Sequence, residues 1–295
     1  MSGAVGTMNL GWRSLLFVSA DDQVRLAKVA RCGADAVVLD LEDAVPPARK
    51  TEVRVGLPDT ISELAARGCT LVVRINAGWI DAIADLAVAV RPEVAAIMIP
   101  KVEDSARLAV IAEIIAEIAK DLGIPRPPGL VPLVESPAGV VELNAIAAVP
   151  CVIGLALGTE DFSLALGVPP SYEALELPCR LLALAAARCG RMALGLPVSI
   201  GTIENRSAWE EGVHAGRSMG LTGALCIHPR QVGIANDGFA PTAAEVEAAR
   251  RILEVWKTAG SAGVIQWDGK MIDRPVALAA ERVIGRAVIE KKRQI

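Results

Sequence analysis

The stretch AVVLDLED, residues 36–43, joins a short apolar segment to acidic residues at its end. A segment with helical periodicity follows over residues 48–67. Short Val- and Leu-rich runs that alternate with helical segments are typical of buried strands in parallel α/β proteins. The carboxyl ends of such strands share one face, so Glu42 and Asp43 are predicted to lie on it.

The same pattern recurs along the chain, and polar residues follow each apolar run. The runs are LVVRIN (71–76), AAIMIPK (95–101), GLVPLVES (129–136), VIGLALGTED (152–161) and GALCIHP (223–229). Strand candidates begin near Leu15, Ala36, Thr70, Ala95, Gly129, Val152, Pro197 and Gly223. Helical segments are predicted at 21–32, 48–67, 79–90, 103–122, 137–148, 172–189 and 204–219. Eight such units favour an α/β fold of the (β/α)8 TIM barrel type over an open doubly wound sheet.

The chain continues beyond what closing a barrel requires. We assign residues 1–240 to the barrel and residues 241–295 to a C-terminal helical extension. In the extension, helices are predicted at 242–258 and 276–289, with a Gly-rich break and the segment WDGKMIDRP between them. This extension is predicted to act as a lid, an arm for oligomer formation, or both.

Composition limits the class of protein. The 295 residues are 53% hydrophobic and carry a formal net charge of −4. This predicts a large aliphatic core and no nucleic-acid partner, because nucleic acids require a concentrated basic surface. The N-terminal residues lack the features of a secretory signal peptide, so we expect a soluble, cytoplasmic protein without membrane segments. Six scattered cysteines without a C-x-x-C pair are expected to be reduced and not to bind zinc.

Two carboxylates that follow neighbouring strands predict a metal site. Glu135 follows the fifth apolar run and Asp161 follows the sixth. Mg²⁺ takes few protein ligands and keeps several waters, so two carboxylates suffice. Glu42 and Asp43 suit an outer position from which they orient those waters. The alternative is that Glu135 and Asp161 cap helices, although Ser136 is the natural cap after Glu135.

Three basic residues allow more than one interpretation. Arg74 lies within a predicted strand, where it either forks onto a substrate carboxylate or pairs with Asp40 or Glu42. Lys101 either balances the acids or forms a Schiff base, and the predicted metal pair argues against the second role. His228 precedes a proline and is more consistent with a packed imidazole than with a general base.

The motifs, in this order, resemble the citrate lyase beta-subunit-like family of aldol lyases, which includes malyl-CoA and citramalyl-CoA lyases. The matching strings are RSLLFVSADD (13–22), GADAVVLDLEDAV (33–45), VVRINA (72–77), IMIPKVE (97–103), PLVESPAG (132–139), LGTEDFSLALG (157–167), ALCIHPRQV (224–232) and WDGKMIDRP (267–275). The resemblance implies a TIM barrel with a C-terminal lid and Mg²⁺-dependent, reversible carbon–carbon cleavage.

The resemblance also implies roles for individual residues. Glu135 and Asp161 would ligate Mg²⁺, Glu42 and Asp43 would hold its waters, and Arg74 would face the substrate's carboxylate and developing oxyanion. Further catalytic and substrate-binding roles fall on three other residues: Asp273 as an acid/base that reaches a neighbouring subunit's site, and Phe17 and Lys28 near the acyl-CoA. A lid that acts on a neighbour implies a homo-oligomer, a trimer or a hexamer.

Three functions follow from these expectations. The first is a lyase that splits a malyl- or citramalyl-type 3-hydroxyacyl-CoA into an acyl-CoA and a 2-oxo acid. The second is a Mg²⁺ enzyme that acts on free 2-oxo or hydroxy acids without CoA. Two departures from the family pattern motivate it, Asp22 in place of a cation and Ser199 in place of an acid. The third is a lyase subunit that depends on an acyl-carrier partner.

Overall fold

The computed structural model describes residues 11–258 and 264–293, with side chains described to residue 288. The chain divides into two compact units between Asp237 and Gly238. In the described residues no helix is long and apolar enough to cross a membrane.

The first unit contains a parallel eight-stranded barrel. Its strands, within the described residues, are β1 (Ser14–Ser19), β2 (Ala36–Asp40), β3 (Leu71–Arg74), β4 (Val94–Ile99), β5 (Gly129–Val134), β6 (Gly154–Leu157), β7 (Met192–Leu194) and β8 (Ala224–Cys226). Consecutive strands from β1 to β7 pair with each other, and β1 also pairs with β8. A parallel bridge between Leu194 and Gly223 closes the ring. The predicted TIM barrel is therefore confirmed.

Helices follow the strands along the chain. They are α1 (Gln23–Val29), α2 (Lys50–Ala66), α3 (Trp79–Ala89), α4 (Ser105–Asp121), α5 (Pro137–Val141), α6 (Leu143–Ala148), α7 (Thr159–Leu166), α8 (Tyr172–Cys189), α9 (Arg206–Met219) and α10 (Pro229–Phe239). A short 3₁₀ turn, Pro47–Arg49, precedes α2. The helix predicted at 137–148 is two helices, because the backbone leaves the helical conformation at Glu142.

One buried cluster, with members from all eight strands, fills the barrel interior. Alternate residues of a strand face the same side, and the cluster follows this period. It includes Leu15, Val38, Val72, Val131 and Leu133. Two positions further along the same strands and their ends lie Phe17, Asp40, Arg74 and Glu135. The period of two therefore directs these four side chains to the barrel's interior at its carboxyl end.

The seventh strand is not where the sequence pattern predicted it. We expected it to begin near Pro197, but β7 is Met192–Leu194. Pro197 has no backbone N–H to donate to a strand ladder, which makes it a poor strand residue. Gly195 follows β7 with a φ of +153° and starts the loop instead. The three-residue strand is too short to show a pattern of its own.

The second unit consists of two helices and a hairpin in its described residues. Helix α11 (Ala243–Thr258) packs against α12 (Arg274–Arg293), and strands β9 (Val264–Trp267) and β10 (Lys270–Asp273) pair antiparallel. Asp268 and Gly269 connect the strands, both with positive φ, as a two-residue Asp-Gly hairpin turn requires. The sequence analysis predicted both helices but not the hairpin.

Candidate active site

A cavity of about 420 Å³ opens at the carboxyl ends of the barrel strands. Its acidic lining consists of Asp40, Asp43, Glu135, Glu160 and Asp161, and its basic lining consists of Arg25 and Arg74. Active sites of TIM barrels are found at this end, where the loops after the strands vary independently of the core. The excess of carboxylates over basic groups makes the cavity suited to a cation.

An aliphatic wall borders the acidic part of the cavity. Its members are Leu133, Leu157, Ile200, Leu225 and Ile227. These residues belong to strands β5, β6 and β8 or to the loops after β7 and β8. An apolar wall beside a few convergent polar groups is the usual composition of a site for a small molecule.

Arg74 is held by carboxylates on two sides. Its Nε and Nη2 donate to the two oxygens of Asp40 at 2.7 and 2.6 Å, and its Nη1 lies 3.0 Å from Glu42. Burial alone would lower the pKa of Arg74. The hydrogen bonds to Asp40 and the negative charges of Asp40 and Glu42 outweigh this effect, so the pKa of Arg74 is raised. The ion pairs that the sequence left as an alternative are therefore present. Asp40, which continues the inward period of β2, is the site residue whose importance the sequence analysis understated.

Glu42 is buried and incompletely bonded. Its carboxylate lies 3.0 Å from Arg74 Nη1 and 3.2 Å from Lys101 Nζ. Neither oxygen has a hydrogen bond of good geometry within the described part of the chain. Burial raises the pKa of Glu42, and the negative charge of Asp43 adds to this, while Arg74 and Lys101 oppose it. Asp43 is more exposed, with its carboxylate 3.8 Å from Arg74.

Glu135 is the most strongly perturbed acid of the cavity. Only 6% of its surface is exposed, and its Oε2 accepts a 2.8 Å hydrogen bond from the backbone of Lys101. Burial raises the pKa of Glu135 to about 8, with smaller contributions from the charges of Glu42 and Asp161. Ser136, not Glu135, caps the following helix by accepting from Gly139. The capping alternative for Glu135 is therefore not what the structure shows.

Asp161 lies in the first turn of α7. The N-cap of this helix is Gly158, which has no side chain to accept a hydrogen bond. Asp161 is therefore not the cap, and its carboxylate lines the cavity close enough to raise the pKa of Glu135. The neighbouring Glu160, which the sequence analysis did not single out, also lines the cavity and accepts a 2.7 Å bond from Ser199.

Lys101 connects Glu135 and Glu42. It follows β4 with a φ of +53°, a left-handed conformation that is uncommon for a residue with a side chain. Its backbone N–H bonds to Glu135, and its ammonium lies 3.2 Å from Glu42. Burial lowers the pKa of Lys101, but the negative charge of Glu42 reverses this and raises it. A protonated amine is a poor nucleophile, so the geometry favours charge balance over a Schiff base.

Phe17 and Lys28 differ in their positions. Phe17 lines the cavity, and the guanidinium carbon of Arg74 lies 5.1 Å from its ring centroid, within range of a cation–π contact. Lys28 is exposed in the last turn of α1 and is not part of the cavity lining. Arg25, one turn earlier on α1, does line the cavity.

Asp273 and His228 have structural contacts in the described chain. Asp273 belongs to the second unit, where its Oδ1 accepts a 3.1 Å bond from the backbone of Val276 in the first turn of α12. His228 accepts a 3.2 Å bond at Nδ1 from the backbone of Arg230 and is partly buried. The contact of His228 agrees with the packed imidazole that the sequence favoured.

The carboxylates of the cavity offer oxygen donors to a metal ion. Among residues 11–258 and 264–293, no group of three or more His, Cys, Asp or Glu side chains could hold one metal ion. Glu135 and Asp161 instead offer two hard oxygen donors. The under-bonded Glu42 is not part of the cavity lining, but it contacts the same Lys101 that bonds to Glu135. Mg²⁺ is bound in this way, through one or two carboxylates with water and substrate as the other ligands. The donor set therefore fits Mg²⁺.

Known proteins resemble the chain over almost its whole length. Citrate lyase subunit beta of Haemophilus influenzae is 33% identical over 289 residues, which cover 93% of this chain and 96% of that protein. The (3S)-malyl-CoA thioesterase of Cereibacter sphaeroides is 32% identical over 286 residues, 94% of each chain. Both relatives span the barrel and the C-terminal unit.

Solved structures share the fold. Protein CitE of Mycobacterium tuberculosis, crystallised with magnesium, acetoacetate and coenzyme A, is 30% identical, with a TM-score of 0.70, over 93% of this chain and 97% of that one. A citrate lyase of Burkholderia xenovorans has a TM-score of 0.82 at 22% identity, over 94% of this chain and 92% of that one, and supports the fold alone. The family model described as HpcH/HpaI aldolase/citrate lyase matches residues 13–229. The resemblance found in the sequence motifs is thus confirmed, and the chain belongs to the HpcH/HpaI aldolase/citrate lyase family.

Proposed function

We propose that this protein is a Mg²⁺-dependent carbon–carbon lyase that splits a malyl- or citramalyl-type 3-hydroxyacyl-CoA reversibly into an acyl-CoA and a 2-oxo acid. The observation that carries the proposal is the pair Glu135 and Asp161 in one cavity with Arg74. Family membership supports carbon–carbon lyase chemistry, and the magnesium complex of the M. tuberculosis relative supports the metal.

Glu135 and Asp161 are the proposed metal ligands, and Glu42 and Asp43 are proposed to orient the waters of the metal. When bound, Mg²⁺ would act as a Lewis acid toward the oxygens of the 2-oxo acid. Glu42 suits its role because both of its oxygens retain acceptor capacity in the described chain. Lys101 holds Glu135 through its backbone and Glu42 through its ammonium, which fixes the two acids relative to each other.

Arg74 is proposed to stabilise negative charge on the substrate. Asp40 already accepts two hydrogen bonds from the Nε–Nη2 edge of the guanidinium, so this edge is not open to a substrate carboxylate. Arg74 therefore acts through its fixed positive charge and its Nη1, and Asp40 keeps it in place. A preorganised cation in a cavity that excludes water stabilises developing charge more than a mobile one in solvent does.

Asp273 is the proposed acid/base, which moves a proton at the carbon next to the thioester. Its support is the match of WDGKMIDRP to the family's C-terminal motif, together with a carboxylate type suited to general acid/base work. We propose that it acts in a homo-oligomer, a trimer or hexamer, on the site of a neighbouring copy. Phe17 and Lys28 are proposed to approach the acyl-CoA.

Two acids follow β1 where the family pattern carries a cation, and both are paired locally. Asp21 accepts a 2.7 Å bond from Arg49, and Asp22 caps α1 and lies 3.2 Å from Arg25. These pairs reduce the repulsion that the acids would exert on the phosphates of CoA. The loss of a cation at Asp22 nevertheless supports a second candidate, a lyase for free 2-oxo or hydroxy acids.

Turnover assays distinguish the candidates. The purified protein is incubated with Mg²⁺ and a panel of 3-hydroxyacyl thioesters and free hydroxy acids, and release of 2-oxo acid is followed. Turnover of thioesters alone supports the first proposal, and turnover of free acids supports the second. Activity that appears only after an acyl-carrier protein is added would indicate a dependent subunit. The absence of all three activities would refute the lyase proposal.

A further inference from the structure

Asp85 is a buried carboxylate that the proposed reaction does not use. It lies on α3 with no exposed surface and is not part of the cavity lining. Its Oδ1 accepts a 2.6 Å bond from Arg54, and its Oδ2 accepts bonds from the backbone N–H and the side-chain amide of Asn76, at 2.8 and 2.7 Å. A charged group so deeply buried is costly unless its partners are fixed, so this arrangement is rigid.

The contacts of Asp85 lead to the carboxyl ends of β2 and β3. The amide of Asn76 also donates to the carbonyl of Leu41 at 3.0 Å, and the N–H of Leu41 donates to the carbonyl of Arg74 at 3.0 Å. Asn76 is two residues after Arg74, and Leu41 lies between Asp40 and Glu42. One carboxylate therefore fixes both backbone segments that carry the charged cluster around Arg74.

The orientation of the Asn76 amide is also determined. Its Oδ1 accepts a bond from the ammonium of Lys50, while its Nδ2 donates to Asp85 and Leu41. An amide with donors and acceptors on the correct sides cannot be rotated by half a turn without losing all three bonds. Asp85 and Lys50 together thus hold Asn76 in the one orientation that reaches β2.

We propose that Asp85 is a positioning residue for the reaction, which acts through Asn76 and Leu41 to hold Arg74, Asp40 and Glu42 in place. The kinetic part of this proposal rests on the lyase function proposed above. The structural part does not, because it concerns the position of Arg74 and of the Leu41 carbonyl in the protein without substrate.

The first test is Asp85→Asn, which keeps the size of the side chain. The amide N–H₂ of the variant faces donors, on Arg54 or on Asn76, so at least one bond is lost. We expect kcat to fall about 10- to 100-fold, because displacements near 1 Å have effects of this size. The Kd for Mg²⁺, measured by calorimetry, should rise by a smaller factor, since Glu135 and Asp161 come from other strands and helices and only the water-orienting Glu42 is displaced.

A second variant keeps the half-buried Arg54 paired with both Asp81 and Asp85. Asn76→Ala keeps the bond between Arg54 and Asp85 but removes the link to Leu41. It should lower kcat to a similar extent and again raise the Kd for Mg²⁺ by a smaller factor. A purely structural role would instead lower stability and change kcat and Mg²⁺ affinity by similar factors, or change neither.

The pair Arg13 and Asp35 provides the matched control at the other end of the barrel. Asp35 is almost as buried, with 4% of its side chain exposed, and it accepts bonds from Arg13 before β2 begins. Asp35→Asn should lower the melting temperature and leave kcat unchanged, because neither Asp35 nor Arg13 lines the cavity at the carboxyl end of the barrel.

Two results would overturn the proposal. One is a kcat for Asp85→Asn equal to that of the wild type, or a loss that Asp35→Asn shares. The other is a crystal structure of Asp85→Asn in which Arg74 and the Leu41 carbonyl keep their wild-type positions. If the wild type releases no 2-oxo acid from any substrate but the variant structure shows Arg74 displaced, the lyase proposal fails and the positioning proposal stands.

Discussion

At the scale of single residues, the charge of Glu135 depends on what shares its cavity. Burial raises its pKa from an ordinary value of 4.5 to about 8, so without a cation it holds a proton at neutral pH. Binding of Mg²⁺ requires the carboxylate form. A Mg²⁺ ion bound at the proposed site would therefore displace that proton, and the negative charge of Asp161 nearby would favour the metal further.

This coupling predicts the pH dependence of Mg²⁺ binding. The affinity for Mg²⁺ should increase as the pH rises toward about 8 and then level off. The reason is that Glu135 then carries, in fewer of the molecules, the proton that the metal must displace. Calorimetry in two buffers of different ionisation enthalpy should show proton release at about pH 6.5. Glu135→Gln should bind Mg²⁺ weakly and release no proton. An affinity that does not change between about pH 6 and pH 8 would contradict the assignment.

Because Gly158 has no side chain, the carboxylate of Glu135 can lie next to its backbone. A Cβ at this position would lie 2.6 Å from Cγ and 2.8 Å from Oε1 of Glu135. We predict that Gly158→Ala displaces the carboxylate and weakens Mg²⁺ binding at least about tenfold, with a loss of about 1–3 kcal/mol in the free energy of unfolding from overpacking. The control is Gly56→Ala on α2, where a Cβ meets nothing within 4 Å. Mg²⁺ titrations and urea unfolding of both variants measure the difference, and equal Mg²⁺ affinities would refute the prediction.

At the level of the strands and their loops, the residue after β4 has an unfavourable backbone conformation that points its polar groups toward two acids. Lys101 has a φ of +53°, which costs a residue with a side chain about 1–2 kcal/mol. The same residue directs its N–H to Glu135 and its ammonium to Glu42. Strain of this kind persists at functional sites because the surrounding structure imposes it.

Substitution of Lys101 separates the strain from the charge. Lys101→Gly removes both the backbone strain and the ammonium. Because the strain is lost, the melting temperature should stay unchanged or rise. Because Glu42 loses its ammonium partner, kcat should fall about tenfold. Lys101→Met keeps the strain and should lower kcat equally without raising the melting temperature. Asp268→Gly, at the other positive-φ residue with a side chain among those described, is the control for stability. Full activity of Lys101→Met would exclude a role for the ammonium.

At the scale of the whole molecule, the proposed reaction needs groups from two units. The barrel unit carries the cavity, and Asp273 belongs to the second unit, where it caps α12. Asn is as good an N-cap as Asp, so Asp273→Asn changes the charge without removing the cap. This makes the variant a clean test of acid/base function.

We predict that Asp273→Asn abolishes turnover and leaves Mg²⁺ binding nearly intact. If Asp273 acts on a neighbouring copy, mixing this variant with Glu135→Gln should restore part of the activity, because some sites then combine two intact residues. Each variant alone serves as the control, and sedimentation measures the oligomer. Full activity of Asp273→Asn would remove it from the mechanism, and a mixture that stays inactive would argue against action between subunits.

Local sequence patterns are sufficient to specify the barrel and to bring Arg74, Glu135 and Asp161 to one face of it. The period of two in the strands directs Arg74 and Glu135 inward, and alternation of strands and helices brings their ends to one face. Contacts between residues that are distant in the chain are visible only in the folded protein. Examples are the ion pair between Asp40 and Arg74 and the hydrogen bond from Lys101 to Glu135. A third is the connection from Asp85 through Asn76 to Leu41. Each joins separate elements of the fold, and no local pattern encodes such pairings.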